Sequence, residues 1–297
     1  MNIKSMAKPL IVGATAATVA AGLGTYVWQQ EHRSPLLEIY IIALKNGQAT
    51  FIRTPEDKRI LINGGSNSEI IRHISAILPF YSRRIDTLIA TDTAGKNVSG
   101  LIDVLRRYTV DRVLIPGVTV ESLGLASSTD PIFKTFLAEA KKLNISLDML
   151  NAGADINLDK KVTAHTLFPV TGDQFNYSKA SAPEVILQVE YGATSAVFLG
   201  TASKKIQTFI TPQVTGAQVL VVAQSGAGDN LSSELFDALL PEYFIYSKAV
   251  SYAVPKSTKD SKKKINPAEG LAENKRINLR EAEIVKIVSD GRTVEVR

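Results

Sequence analysis

Residues 88–101, LIATDTAGKNVSGL, limit this chain to folds in which a strand feeds a loop that opens a helix. The apolar run stops abruptly at small and polar residues and resumes at Gly100-Leu101, the pattern of a buried strand, a loop and a helix over Val98–Tyr108. α/β proteins place chemistry at such strand ends. Between Thr91 and Ser99 the loop offers Asp92, Lys96, Asn97 and the hydroxyls of Thr91, Thr93 and Ser99, but neither His nor Cys.

The flanking pattern alternates short apolar runs with turns. Glu38–Leu44, Ala49–Thr54 and Arg59–Asn63 read as strands separated by Asn46-Gly47 and Pro55-Glu56-Asp57, which opens an antiparallel meander. Ser68 is expected to cap a helix through Leu78, ended by Pro79. Asp86–Ala90, Arg112–Ile115 and Ile145–Leu150 follow as strands, with a helix over Pro131–Leu143. The second half repeats the style. It has strands at Lys161–Leu167, Val185–Tyr191, Ser195–Leu199, Gln218–Val222 and Tyr243–Tyr246, and helices near Lys204–Ile210 and Leu231–Leu240. Two sheets sandwiched between helices fit this order better than one parallel sheet.

At 297 residues and 45% hydrophobic content the chain has ample material for a core. Histidine is scarce: His32, His73 and His165 lie far apart, and each reads as a surface or structural residue. A His-rich dinuclear zinc centre needs more imidazoles than these, and with no cysteine there is no thiolate site or disulfide framework. No metal or other cofactor is expected.

Residues 1–9 carry Lys4 and Lys8, and Leu10–Trp28 is a run of nineteen residues without a charge, about the length that spans a bilayer. It ends in Tyr26-Val27-Trp28, an interfacial aromatic belt rather than a small-residue cleavage site, which favours an uncleaved anchor over a secretory signal. Small residues at Ala16, Ala20 and Gly24 recur at helix-packing spacing. The charge asymmetry keeps the amino end cytoplasmic and exports residues 38–297 beyond a 29–37 linker. That reading gives a single-pass protein of the cytoplasmic membrane.

The net charge of +5 is modest and concentrates late. Residues 256–280 form a basic insertion in which Lys256, Lys259, Lys262, Lys263 and Lys264 fall within nine residues. Its simplest reading is a solvated segment, and its functional reading is a hold on DNA or anionic lipid. Glu283–Val288 and Thr293–Val296 flank Asp290-Gly291, a hairpin expected to close a sheet.

Four stretches, IIALKNGQATFI (41–52), RTPEDKRILINGG (53–65), residues 78–101 and VLVVAQSGA (219–227), together resemble the metallo-β-lactamase-like domain of ComEC-type competence proteins, which are implicated in DNA uptake. The resemblance runs in order from about residue 38 to about 250. It implies an αββα sandwich, an α/β fold. It also implies a degenerate metal site. In the family motif T-H-x-x-x-D-H, Thr91 is kept, while Asp92, Ala94, Lys96 and Asn97 stand at ligand positions. Thr201 stands where the family has a bridging Asp, and Gln224 and Ser225 fall within its P-H-H-G-S turn. Asn63 replaces the Asp of L-I-D-x-G, and Ala43–Gln48 stands where the family has D-V-G-Q-G-D. Of the mapped loop positions, Asp92 alone is a ligand type, and Lys96 brings a cation that opposes a divalent ion and is placed to pair with Asp92.

Three functions follow as expectations. The first is a membrane-anchored, metal-free pseudoenzyme acting as a scaffold or binding module with a membrane-protein partner. The second is a DNA-binding component of an uptake or transfer system using the Lys-rich segment. The third is a hydrolase with a Ser or Thr nucleophile and Lys96 as base, beside Ser99 or Thr93.

Overall fold

The computed structural model describes residues 35–124, 129–178, 183–223, 231–246, 271–279 and 281–297. Among these, two sheets form. The eight-stranded sheet runs β15 (Val294–Val296), β14 (Ile284–Ser289), β1 (Leu37–Leu44), β2 (Gly47–Arg53), β3 (Arg59–Ile62), β4 (Arg84–Ile89), β5 (Thr109–Pro116), β6 (Ser146–Leu150). The seven-stranded sheet runs β13 (Arg276–Asn278), β12 (Tyr243–Tyr246), β11 (Val219–Val222), β10 (Thr194–Gly200), β9 (Ile186–Tyr191), β8 (Val162–Phe168), β7 (Asp155–Asn157). Helices α1 (Glu69–Ile77), α2 (Gly95–Arg107) and α3 (Pro131–Lys142) cover the first sheet, and α4 (Lys204–Ile210) and α5 (Ser233–Leu239) cover the second.

Strand periodicity explains the layering, because successive side chains leave opposite faces. In β3, Ile60 and Ile62 join the core between the sheets while Leu61 packs under the helices. In β10, Ala196 and Phe198 face the other sheet, and Val197 and Leu199 face α4 and α5. Strands buried on both faces read as continuous apolar runs, and VLVV of β11 is fully buried. The helices close the outer cores with Ile70 and Ile74, with Val98, Leu101 and Leu105, and with Phe133 and Phe136 on one side. Ile206, Ile210, Leu235 and Leu239 do so on the other. The result is the αββα sandwich expected from the strand order.

Direction within the first sheet positions everything that follows. β1 is antiparallel to β2 and β2 to β3, while β3, β4 and β5 are parallel. The starts of β1, β3, β4 and β5 therefore share one end, and their carboxyl ends share the other. The hairpin at Asp290-Gly291 forms, and β14 pairs with β1.

Several local expectations change. Helix α2 begins at Gly95 rather than Val98, so Lys96, Asn97 and Ser99 are helical and not loop residues. The reason is a cap borrowed from a distant residue: the Asp130 carboxylate accepts from Gly95 N at 2.9 Å and from Ile132 N at 2.8 Å, serving the first turns of α2 and α3 together. Ser68 precedes α1 but makes no side-chain cap, and Asn67 Oδ1 accepts from Glu69 N instead. The carboxyl end of the presumed 256–280 insertion is structural, because Arg276–Asn278 pairs with β12 and Leu279 is fully buried. The short strand β7 carries too little apolar pattern to announce itself. No helix among the described residues is long and apolar enough to cross a membrane. The apolar run 10–28 and the lysines 256, 259, 262, 263 and 264 lie outside the described residues.

Candidate functional site

At the carboxyl ends of β3, β4, β10 and β11 a cavity of about 430 Å³ opens between the two sheets. Its wall collects Lys45–Gln48 from the β1–β2 turn, Asn63, Thr91, Lys96 and Asn97 from the first sheet's side, and Glu184, Thr201 and Ala223 from the second's. Positions scattered over some 180 residues thus meet because parallel strands end together.

Backbone contacts fix this arrangement. Asn63, in the left-handed region at φ 58°, donates its amide to Thr91 Oγ1 (2.8 Å) and accepts from Thr91 N (3.0 Å). Val185 N donates to Thr91 O at 2.6 Å, tying the two sheets together beside the cavity. The 64–65 turn packs directly on α2, with Gly64 N donating to Asn97 O (2.7 Å) and Gly100 N to Gly65 O (3.0 Å). A Cβ on Gly100 would lie 2.1 Å from Gly64 O, so this helix position requires glycine.

Glu184, 6% exposed, is the residue that sequence reasoning missed. Thr201 donates its backbone N–H (3.0 and 2.9 Å) and its hydroxyl (2.6 Å) to the Glu184 carboxylate. Gly200 allows the close approach, since a Cβ there would fall 1.9 Å from Glu184 Oε1. Burial first, and then the negative charge of Asp92, push Glu184 up to about 8, against the pull of Thr201 and Lys96. Burial also raises Asp92, but N–H donors and Lys96 favour its anion. Burial thus raises both carboxyls, and this neighbouring pair favours holding a proton over carrying two negative charges. The sequence signal was slight: one acid after a proline and ahead of an apolar strand.

Asp92 and Ala94 do not line the cavity. Asp92 Oδ1 accepts from Ala94 N (3.0 Å) and Oδ2 from Asn97 Nδ2 (2.6 Å), an arrangement that shapes the entry to α2. The expected Lys96–Asp92 ion pair does not form. The Lys96 side chain is exposed and lines the cavity, acting on Asp92 and Glu184 through its charge at longer range. Among the described residues neither Ser99 nor Thr93 is hydrogen-bonded to Lys96, so the geometry supplies no nucleophile–base dyad. Lys96, Asn97 and Thr201 do converge, while Gln224 and Ser225 lie outside the described residues.

A divalent ion needs several His, Asp, Glu or Cys donors converging on one point. Among the described residues no group of three such side chains is placed to hold a metal. Asp92, behind the cavity wall, is occupied by two N–H donors, Glu184 in the wall by Thr201, and two lysines line the cavity. This donor set does not fit a divalent metal. The two described histidines are elsewhere. His73 is buried beside Arg72, and His165 sits between Asp155 (2.7 Å) and Glu190 (3.2 Å) at the strand surface.

No family model and no curated protein matches this sequence. Solved structures similar in backbone include the di-iron β-hydroxylase CmlA of Streptomyces venezuelae, at 16% identity over 71% of this chain and 44% of that one, TM-score 0.48. Another is the metallo-β-lactamase fold protein YhfI of Bacillus subtilis, at 10% identity over 71% and 85%, TM-score 0.46. A third is MEM-A1, a subclass B3 metallo-β-lactamase from a soil metagenome library, at 15% identity over 68% and 82%, TM-score 0.43. The chain spans less than half the length of the β-hydroxylase it matches.

Proposed function

We propose that this chain is a binding module built on a metallo-β-lactamase-type sandwich, that it is not a metallohydrolase, and that its amino-terminal segment holds it at a membrane. The supporting observation is the character of the cavity wall. Lys45 and Lys96 supply positive charge, Asn63, Asn97, Thr91 and Thr201 are neutral polar groups, and burial pushes Glu184 toward its neutral form. Such a wall suits an anionic group of a small ligand or of a partner's side chain, with backbone turns rather than a metal fixing the geometry. The architecture and the ComEC-type resemblance support the fold assignment. The membrane anchor rests on residues 10–28.

Titration calorimetry of the full chain with inorganic phosphate tests the reading. Saturable binding that the Lys45→Ala/Lys96→Ala variant loses supports it, and absence of any binding to the wild-type chain contradicts it. The nucleic-acid alternative shares the cationic cavity and adds Lys256–Lys264. It predicts oligonucleotide binding that falls steeply with salt and disappears when residues 256–264 are deleted.

A further inference from the structure

The end of the sandwich opposite the cavity carries a second feature. Phe80 and Tyr81, in the turn between α1 and β4, are 93% and 77% exposed and pack edge to face with ring centroids 5.4 Å apart. Two adjacent aromatic side chains left in water are costly unless something covers them. The turn is held, not loose: Ser82 N donates to Pro79 O (2.9 Å), Arg59 donates to the Ser82 hydroxyl, and Thr109 N donates to Arg83 O (2.8 Å).

Beside the aromatics lies a pocket of about 300 Å³ whose wall includes Ser75, Ser82, Arg83, Arg107 and Tyr108. The neighbouring charges are largely spoken for. Arg84 pairs with Asp111, Lys58 with Asp86, Arg59 with Asp57 and Arg106 with Glu139. Arg83 and Arg107 are exposed and form no ion pair among the described residues. The patch is therefore two arginines and three hydroxyls around a hollow, with two aromatic rings at its lip. That combination fits a phosphate headgroup below and an interfacial, half-apolar layer above.

Topology says where this patch lies. The turn precedes β4, Arg107 precedes β5, and both strands start at the end where β1 starts, next to Leu36, itself 42% exposed. The apolar run ends at Trp28, eight residues before Leu36, which is at most about 28 Å of extended chain. Leu36 and the aromatic–arginine patch thus lie at one end of the sandwich, and the cavity opens at the other.

We infer that this end of the domain docks on the surface of a bilayer containing anionic phospholipid, with Phe80 and Tyr81 in the headgroup layer and Arg83 and Arg107 on lipid phosphate. The docking orients the cavity away from the membrane. The inference builds on the proposed anchor, but its chemistry is separate from it.

The absence of cysteine makes the test direct. The full chain is labelled with an environment-sensitive fluorophore at Tyr81→Cys or, at the opposite end, Asn46→Cys, and reconstituted in phosphatidylcholine vesicles with or without phosphatidylglycerol and a lipid-borne quencher. Quenching at position 81 but not at 46, requiring phosphatidylglycerol and reduced about fivefold or more by Arg83→Gln/Arg107→Gln, supports the inference. A chain that survives a high-salt wash yet shows no quenching at 81, or equal quenching at both positions, keeps the anchor and overturns the docking. A chain that washes off but is quenched at 81 beforehand supports the docking and overturns the anchor. Capture of single-stranded oligonucleotide that the same double substitution abolishes, without lipid quenching, overturns the inference in favour of a nucleic-acid surface.

Discussion

Thr201 donates both its backbone N–H and its hydroxyl to the buried Glu184 carboxylate, the hydroxyl at 2.6 Å. Residue 201 thus serves a carboxyl group and bears none itself. The consequence is a buried acid whose proton is retained by the fold.

The first prediction concerns pH. In the folded chain Glu184 titrates at about 8, above its ordinary 4.5, so between these values the folded state holds a proton that the unfolded state has released. This contribution is fully present below about pH 4.5 and is lost as pH rises through about 8. His165 acts in the same direction. Burial lowers it, but the hydrogen bond it donates to Asp155 and the charge of Glu190 outweigh burial and raise it. Comparison with Glu184→Gln isolates the carboxyl: the variant is more stable than wild type at pH 8, by about 1–3 kcal/mol, and the gap closes toward pH 5. Urea denaturation across this range checks it, and a wild-type curve parallel to the variant's contradicts it.

Lys96 is exposed and not ion-paired among the described residues, so Lys96→Ala leaves stability within about 0.5 kcal/mol of wild type. The same substitution removes a charge that favours the Glu184 anion, and the Glu184 transition moves to higher pH. It also weakens phosphate binding. A large loss of stability with binding intact, as a buried ion pair would give, contradicts this placement.

Asp130 caps two helices with one carboxylate. Asp130→Ala costs about 1–2 kcal/mol, more than removal of Ser232 as the cap of α5 alone, because both α2 and α3 lose a partner for an amino-terminal N–H. Equal costs in denaturation experiments argue against the shared cap.

Gly100→Ala meets two backbone oxygens that cannot step aside, Gly64 O at 2.1 Å and Asn67 O at 2.6 Å. The expected loss is about 3 kcal/mol, whereas Ser99→Ala, one residue away and half-exposed, stays within about 0.5 kcal/mol. Thermal midpoints of the two variants decide it.

Strand positions and layering were legible because continuous apolar runs such as Ile60-Leu61-Ile62 mark strands buried on both faces. The strand Tyr243–Tyr246 and the helix Lys204–Ile210 match their expected bounds. The start of α2 was not legible, since its cap comes from Asp130, thirty-five residues away. Nor was Glu184, whose role depends on Thr201 and Asp92 arriving from other strands. Lys96 was legible as a cation at the site, but its partner was not, because helix geometry turns it toward the cavity and leaves Asp92 to Asn97.

The donors that the described residues bring to the cavity do not suit a divalent metal. Elemental analysis of the full chain, purified without chelator and dialysed against zinc and then manganese, tests it most directly. Substoichiometric metal and an unchanged thermal midpoint are expected. Stoichiometric zinc, manganese or iron, removed by chelation together with a hydrolytic activity, would contradict it.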